Sequence, residues 1–340
     1  GEGEPCAVVD VKVPVLDQYK FDSVLTSSLE PLLSTCGPVT TPGSYHDFCD
    51  MGPDKTPVQF DHEKLEPTSE GKLPCMYYSR EGNRVGSSWT GWTEDEINVY
   101  AVSAGRNFMF APTSVGELFN LTHVPPPLGD QNPIYLSTLS LSPRVFEIHN
   151  FFSATEADSI VERALGQKSN THKLKRSSTG VDGYTANPTR TSENAFDTHG
   201  EIAIALKERC FNTIGMSPYR ENMADGLQVL RYNISTAYIS HLDWIDNSKT
   251  STHDFETSGV GSNRYATVLL YMTDVEEDGG GETVWTYGTS LDSSAPSYND
   301  ALASVRTDPK LNSLFERDSW QEKMVAECRS SLSISNKGLT

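Results

Sequence analysis

The sequence predicts an α+β protein in which helices pack on an all-β core, behind an irregular amino-terminal extension. Three observations predict this. Helix-spaced apolar residues with capping signals dominate residues 153–215. From Leu227 onward the apolar period shifts towards that of strands. Residues 1–130 hold four of the six cysteines and many Pro and Gly, with little regular periodicity.

In chain order, Leu25, Leu29, Leu32 and Leu33 have helical spacing and stop at Cys36-Gly37-Pro38. Turn-rich stretches follow at Thr41–Ser44 and Met51–Asp54. Thr93-Glu-Asp-Glu96 matches a capping box and predicts a helix through Ile97, Tyr100 and Ala101. Asn107–Pro112 and Val115–Val124 read as short strands. Pro125–Pro127, followed by Gly129 and Asp130, reads as a linker between an extension at 1–130 and a domain at 131–340.

Beyond that point Ile134–Leu141 and Val145–Ile148 read as strands. Ser153 and Glu156 form a second capping box, ahead of a helix through Ile160, Val161, Ala164 and Leu165. Residues 167–189 are polar and rich in Ser, Thr and Gly, the composition of a mobile loop. Ile202, Leu206, Cys210 and Ile214 recur every four residues and end at Gly215, a helix with a glycine cap. Leu227–Asn233 and Glu282–Tyr287 alternate, and Tyr265–Met272 is a continuous run of the buried-strand type. Residues 288–326 form a polar, partly helical insertion, after which Ser331–Ser335 resumes as a strand. There is no internal repeat.

Composition narrows the function classes. A net charge of −19 argues against a nucleic-acid partner, whose phosphates would be repelled. No apolar run approaches the length of a membrane span, and Val268–Met272 is only strand-sized, so no transmembrane segment is expected. The chain opens at Gly1, which leads us to expect a processed or trimmed amino terminus. The cysteines are Cys6, Cys36, Cys49, Cys75, Cys210 and Cys328, with no C-x-x-C pair to suggest zinc. Their even number, with sequons at Asn120-Leu-Thr122 and Asn233-Ile-Ser235, points to a disulfide-bonded glycoprotein. Such a protein belongs in the lumen of the endoplasmic reticulum or Golgi, or outside the cell. Six free thiols and two chance sequons are the alternative.

The chemistry concentrates in Leu227–Asp243, which ends in His241-Leu-Asp243. On an extended backbone residues i and i+2 face one way, so an imidazole and a carboxylate can converge. That donor pair suits a two-His-one-carboxylate Fe(II) site. A bare H-x-D pair is, by itself, more often a solvated His–Asp contact. Around it lie Tyr232, Tyr238, Asn263-Arg264 and the turn Glu276–Thr283. Each has a plain reading as well: core aromatics, a strand end and a tight hairpin.

In order and spacing, Leu-Gln-Val-Leu-x-Tyr, Tyr-x-x-His-x-Asp, an apolar strand and Gly-Gly-Glu-Thr together resemble the prolyl 4-hydroxylase family of Fe(II)- and 2-oxoglutarate-dependent dioxygenases. The resemblance is strong over residues 225–285. It is weaker from Pro143–Ser153 through Arg190–Ser192, and residues 1–130 carry none of it. It implies a double-stranded β-helix (jelly-roll) core flanked by helices. The implied reaction hydroxylates peptidyl proline in a secretory-pathway substrate, consumes 2-oxoglutarate and O₂ at Fe(II) with ascorbate as an accessory reductant, and releases succinate and CO₂. By position, His241 and Asp243 would hold iron, and Tyr232 and Thr283 would contact 2-oxoglutarate. Arg190, Ser192, Tyr238 and Arg264 would line the groove for a proline-rich peptide. For Arg190 and Arg264 an ordinary surface or strand-end salt bridge is the alternative.

The sequence departs from the family pattern at its end. That pattern requires a second, distal histidine and a lysine some way beyond it, and no histidine follows His253 in residues 1–340. Lys337 lies too early to be that lysine. One expectation is an active enzyme whose dioxygenase domain continues beyond these residues, because a half-built jelly roll would leave strand edges and apolar faces open. The other is an inactive relative that binds Pro-rich peptides, or a structural subunit whose open barrel edge a partner chain closes.

Overall fold

The structure is a computed structural model and describes residues 7–11, 75–83, 97–103, 108–168, 173–177, 190–216, 219–233, 236–245, 263–275 and 280–334. The expected helix at Leu25–Leu33, the Thr93–Glu96 capping box, most of the 167–189 loop, His253 and Lys337 lie outside the described residues. Among those residues the chain is α+β, as its periodicities predict, with mixed helices and small antiparallel sheets.

Strands β1 (Ala7–Val11), β2 (Cys75–Ser79) and β3 (Ile97–Ser103) form a sheet in the order β1-β3-β2. This corrects two expectations: residues 97–101 are strand and not helix, and the first ninety residues are not wholly irregular. The segment Ile97-Asn-Val-Tyr-Ala-Val-Ser103 is rich in β-branched and aromatic residues. Its partners are remote in sequence, with Val9 opposite Val99 and Tyr78 opposite Tyr100. Local capping chemistry therefore lost to non-local pairing.

Phe108–Pro112 carries no strand, contrary to expectation, and its rings fill the core instead. Phe108 stacks on Tyr78 with ring centroids 5.0 Å apart, and Phe110 packs edge-on against Phe119 at 5.3 Å. In the Val115–Val124 stretch only β4 (Leu118–Asn120) is a strand. It pairs with β5 (Tyr135–Leu141), which pairs in turn with β6 (Arg144–His149). On β5 the buried positions Leu136, Thr138 and Ser140 alternate with more exposed ones, the period of a half-buried sheet. Phe119, Leu121, Ile134, Ile160 and Leu206 are each at most 1% exposed and pack in one cluster. Burying each contributes roughly 1.5–3 kcal/mol. Pro127 lies among the fully buried side chains, and core residues come from both sides of it.

Helix α1 (Ala154–Gly166) begins with the expected capping box. Ser153 Oγ accepts from Glu156 N at 3.2 Å, and Glu156 Oε2 accepts from Ser153 N at 2.9 Å. Helix α2 (Glu201–Thr213) ends where the sequence predicts. Gly215 adopts φ 71°, its N–H donates to Asn212 O, and Met216 N–H donates to Phe211 O. A side chain at that φ is strained, while the nearest atoms leave room for a methyl group. Gly215→Ala is therefore expected to lower stability by about 1–2 kcal/mol, read as a shift in urea midpoint. An unchanged midpoint would mean that this cap contributes nothing.

The second half carries β7 (Lys175–Arg176), β8 (Glu193–Asp197) and β9 (Leu227–Arg231) in one sheet, and β10 (Thr283–Thr289) paired with β11 (Ser331–Ile334). Between β10 and β11 run α3 (Tyr298–Thr307) and α4 (Trp320–Ser330), the expected helical insertion. It buries Ala301, Val305 and Ala326, and Arg306 makes two 2.9 Å bonds to Glu322. Tyr265–Met272 forms no ladder among the described residues, which corrects its reading as a strand buried on both faces. Val268, Leu270 and Met272 pack against the core, whereas Tyr265 and Leu269 are 44% and 47% exposed. The run is one-sided.

No helix among the described residues is long and apolar enough to cross a membrane. Cys210 and Cys328 are free, and burial pushes their thiols up to about 12 and about 11. The disulfide expectation thus falls on Cys6, Cys36, Cys49 and Cys75, whose side chains lie outside the described residues.

Candidate active site

His241 and Asp243 do not sit on a strand. Strand β9 ends at Arg231, and residues 236–245 run as an irregular, bent segment. Other contacts hold that segment in place. Thr191 N–H donates to Ala237 O at 2.8 Å and Ala237 N–H donates to Thr191 Oγ1 at 2.7 Å. The backbones of Arg190 and Tyr238 form a β-bridge. Downstream, Asn263 accepts from Ile245 N at 2.9 Å and donates to Ile245 O at 2.7 Å. Ser240 Oγ lies 3.4 Å from Thr286 Oγ1 on β10.

So held, the pair converges as the i, i+2 spacing predicts. His241 Nε2 lies 3.4 Å from Asp243 Oδ1, with the two side chains 40% and 42% exposed. The remaining donor and acceptor atoms are occupied. His241 Nδ1 lies 2.8 Å from Ile239 O, and as an N–H donor there it leaves the Nε2 lone pair facing the carboxylate. Thr267 Oγ1 donates to Asp243 Oδ2 at 2.6 Å. The pair is electrostatically coupled. Asp243 raises the His241 imidazole above its ordinary pKa, against partial burial. In return His241, aided by Thr267, holds the Asp243 carboxyl down to about 2.

An imidazole nitrogen and an anionic oxygen facing one another, each oriented by a second partner, fit two of the three protein positions of a non-haem Fe(II) site. Among the described residues no group of three or more His, Cys, Asp and Glu is placed to hold a metal.

Tyr238 stacks on His241 with centroids 3.8 Å apart, and Arg190 Cζ lies 4.6 Å from the Tyr238 ring. Tyr232 is 46% exposed; partial burial raises its phenol pKa, against Ser192 and Arg190. Ser192 is fully buried, its hydroxyl 3.2 Å from Ser177 Oγ. Arg264 pairs with Asp225 at 3.1 Å and reaches the Asp243 carbonyl at 3.4 Å. Thr283, at the start of β10, accepts from Tyr271 OH at 2.6 Å.

Thr267 and Tyr271 escaped the sequence reading. Their signal was present: both sit at odd positions of a run whose even positions Val268, Leu270 and Met272 pack in the core. On an extended backbone the odd positions then share the opposite face.

No family model matches the chain. Several curated Arabidopsis thaliana proteins do.

 The protein named Probable prolyl 4-hydroxylase 3 is 34% identical over 182 residues, covering 51% of this chain and 56% of the relative. Prolyl 4-hydroxylase 2 is 31% identical over 156 residues, 45% of this chain and 47% of the relative. Prolyl 4-hydroxylase 5 is 29% identical over 168 residues, 49% and 53% respectively. Over about half its length this chain is similar to these prolyl 4-hydroxylases. It spans about half the length of the curated relatives it matches.

Proposed function

We propose that the chain is an Fe(II)- and 2-oxoglutarate-dependent dioxygenase of the procollagen-proline 4-dioxygenase type, hydroxylating peptidyl proline in a secretory-pathway substrate. The observation that carries this reading is the convergence of His241 Nε2 and Asp243 Oδ1 at 3.4 Å, each group oriented by a further hydrogen bond. The chain's relatives are named prolyl 4-hydroxylases, which supports the choice of substrate.

Fe(II) with 2-oxoglutarate and O₂, when bound, supplies the oxidising power, and ascorbate would keep the iron reduced. The protein's part is binding and orientation. His241 and Asp243 would hold the metal, while Thr267 keeps the carboxylate turned towards it. Tyr232 and Thr283 would offer hydroxyls to 2-oxoglutarate, with Tyr271 setting the direction of the Thr283 hydroxyl. Arg190, Ser192, Tyr238 and Arg264 would shape the groove for a proline-rich peptide. In this proposal the strands around the site belong to a double-stranded β-helix. The enzyme would work in the lumen of the endoplasmic reticulum or Golgi, or outside the cell, with a glycan on Asn120, which is exposed at the end of β4.

The test is succinate release by the natural full-length protein, given Fe(II), 2-oxoglutarate and a proline-rich peptide. His241→Ala is expected to reduce peptide-dependent turnover at least 100-fold, of the order lost with an essential catalytic group. Equal turnover in both proteins would eliminate the assignment. A second reading, a peptide-binding or structural subunit without turnover, is favoured by the finding that only two such ligands converge among the described residues. Peptide binding with no succinate release from the unaltered protein would select it.

A further inference from the structure

We propose that Tyr238 and Arg190 are positioning residues that hold the His241 imidazole plane ready for the cation, a role separate from lining a peptide groove. The inference rests on the metal-site reading above. His241 is two-fifths exposed and lies in an irregular segment, so no regular hydrogen-bonded ladder fixes its ring. Its Nδ1 bond to Ile239 O comes from the same short segment and moves with it. A ring so placed needs a contact that is itself anchored elsewhere in the fold to keep Nε2 aimed.

Tyr238 supplies that contact. Its ring lies nearly parallel to the imidazole, at 21° and a centroid distance of 3.8 Å. Tyr238 is itself held from outside the segment. Its backbone bridges to Arg190, the adjacent Ala237 is bonded on both sides to Thr191, and the Arg190 guanidinium carbon sits 4.6 Å from the phenol ring centroid. Arg190 Nε is buried and has no hydrogen-bond partner among the described residues. Contact with the Tyr238 ring is therefore an organising interaction of this guanidinium, and a cation against an aromatic face is attractive. The order of support runs from the 190–192 segment, through the Tyr238 ring, to the ligand imidazole. Pre-orientation of this kind sets metal affinity, because a freely turning ligand must be ordered when the ion binds.

The test measures Co(II) binding, in place of Fe(II), by titration calorimetry and by the visible absorption of the bound ion, on the full-length protein. Tyr238→Ala is expected to weaken Co(II) binding roughly 10–100-fold, the range for loss of a residue that orients a ligand. Tyr238→Phe, which keeps the ring, is expected to restore affinity and spectrum. Arg190→Met is expected to weaken binding less than Tyr238→Ala, and it provides a second reading should Tyr238→Ala fail to fold. Wild-type affinity and spectrum in both Tyr238→Ala and Arg190→Met, with binding lost in His241→Ala, would overturn the positioning role and leave the metal site standing. Unchanged binding in His241→Ala would instead overturn the metal-site reading, and this inference with it.

Discussion

Asp243→Asn is expected to weaken divalent-cation binding by more than the roughly 10–100-fold that losing a mere orienting partner costs, and to move its pH dependence downward. The Asp243 carboxyl is held down to about 2 by His241 first and then by Thr267, against partial burial. It is anionic at every pH of practical interest and contributes no step to a binding curve. The step belongs to His241, whose imidazole Asp243 raises above its ordinary value of 6.5. A protonated imidazole has no lone pair to give, so affinity should climb with pH until His241 is neutral and then level off. Asparagine removes both the anionic ligand and the group that raises His241. Affinity should fall, and the remaining pH step should move to lower pH. Calorimetric titration with Mn(II) across pH 5.5–8.5 (about the range over which a histidine titrates) reads both effects. Wild-type affinity with an unmoved step would sink the assignment.

The same coupling affects stability without metal, and its sign follows from the two shifts. The His241 contribution is present below its ordinary pKa and is lost as pH rises through the raised folded value. The Asp243 contribution is present above its ordinary pKa and is lost as pH falls towards about 2. Both side chains are about two-fifths exposed, so solvent screening keeps the pair near the surface range of about 0–1 kcal/mol.

Glu156→Ala is expected to destabilise the protein by about 3–5 kcal/mol, the cost of leaving one member of a buried ion pair alone. Glu156 and Arg209 are 3% and 6% exposed and join α1 to α2 through bonds of 2.8 and 3.2 Å. Arg209 also donates to Phe151 O at 2.7 Å, and Glu156 closes the capping box on Ser153. Burial alone would raise the Glu156 pKa, but the Arg209 and Ser153 bonds outweigh it and hold the carboxyl below its ordinary value. Its contribution is thus full above the ordinary glutamate pKa and is lost as pH falls through the lowered one. Urea denaturation at neutral pH measures the loss. Pairing Glu156→Ala with Arg209→Met should recover much of it, because no charge is then left buried and unpaired. A loss below about 1 kcal/mol, the level of an exposed pair, would show that the clamp is dispensable.

How much of this was legible in the sequence depended on how local each signal is. The Ser153–Glu156 capping box and the Gly215 stop involve residues within a turn or two of one another, and both helices lie where their spacing predicts. Strands β9 and β10 followed from alternation, and β5, β6 and β11 lie where the sequence reads as strand. Strand β3 did not, because the local capping pattern at Thr93–Glu96 pointed to helix while the deciding partners lay in β1 and β2. Tyr265–Met272 failed in another way: an unbroken apolar run does not say which of its faces is covered. At the site, the i, i+2 argument placed His241 beside Asp243 for a reason that the fold replaced. The two meet in a bent segment held by Thr191 and Asn263, and not on a strand.

The sequence alone determined the α+β character, the helix ends, and the resemblance carried by Tyr232, Tyr238, His241, Asp243 and Thr283, since each rests on residue type and short spacing. Only the tertiary structure decided that Thr267 bonds Asp243, that Tyr271 bonds Thr283, and that Tyr238 is stacked on His241 beside Arg190. Those contacts join segments that spacing cannot relate. Hydrogen bonds and ring contacts act over a few ångströms in space, and only packing of the whole chain brings the partners that close.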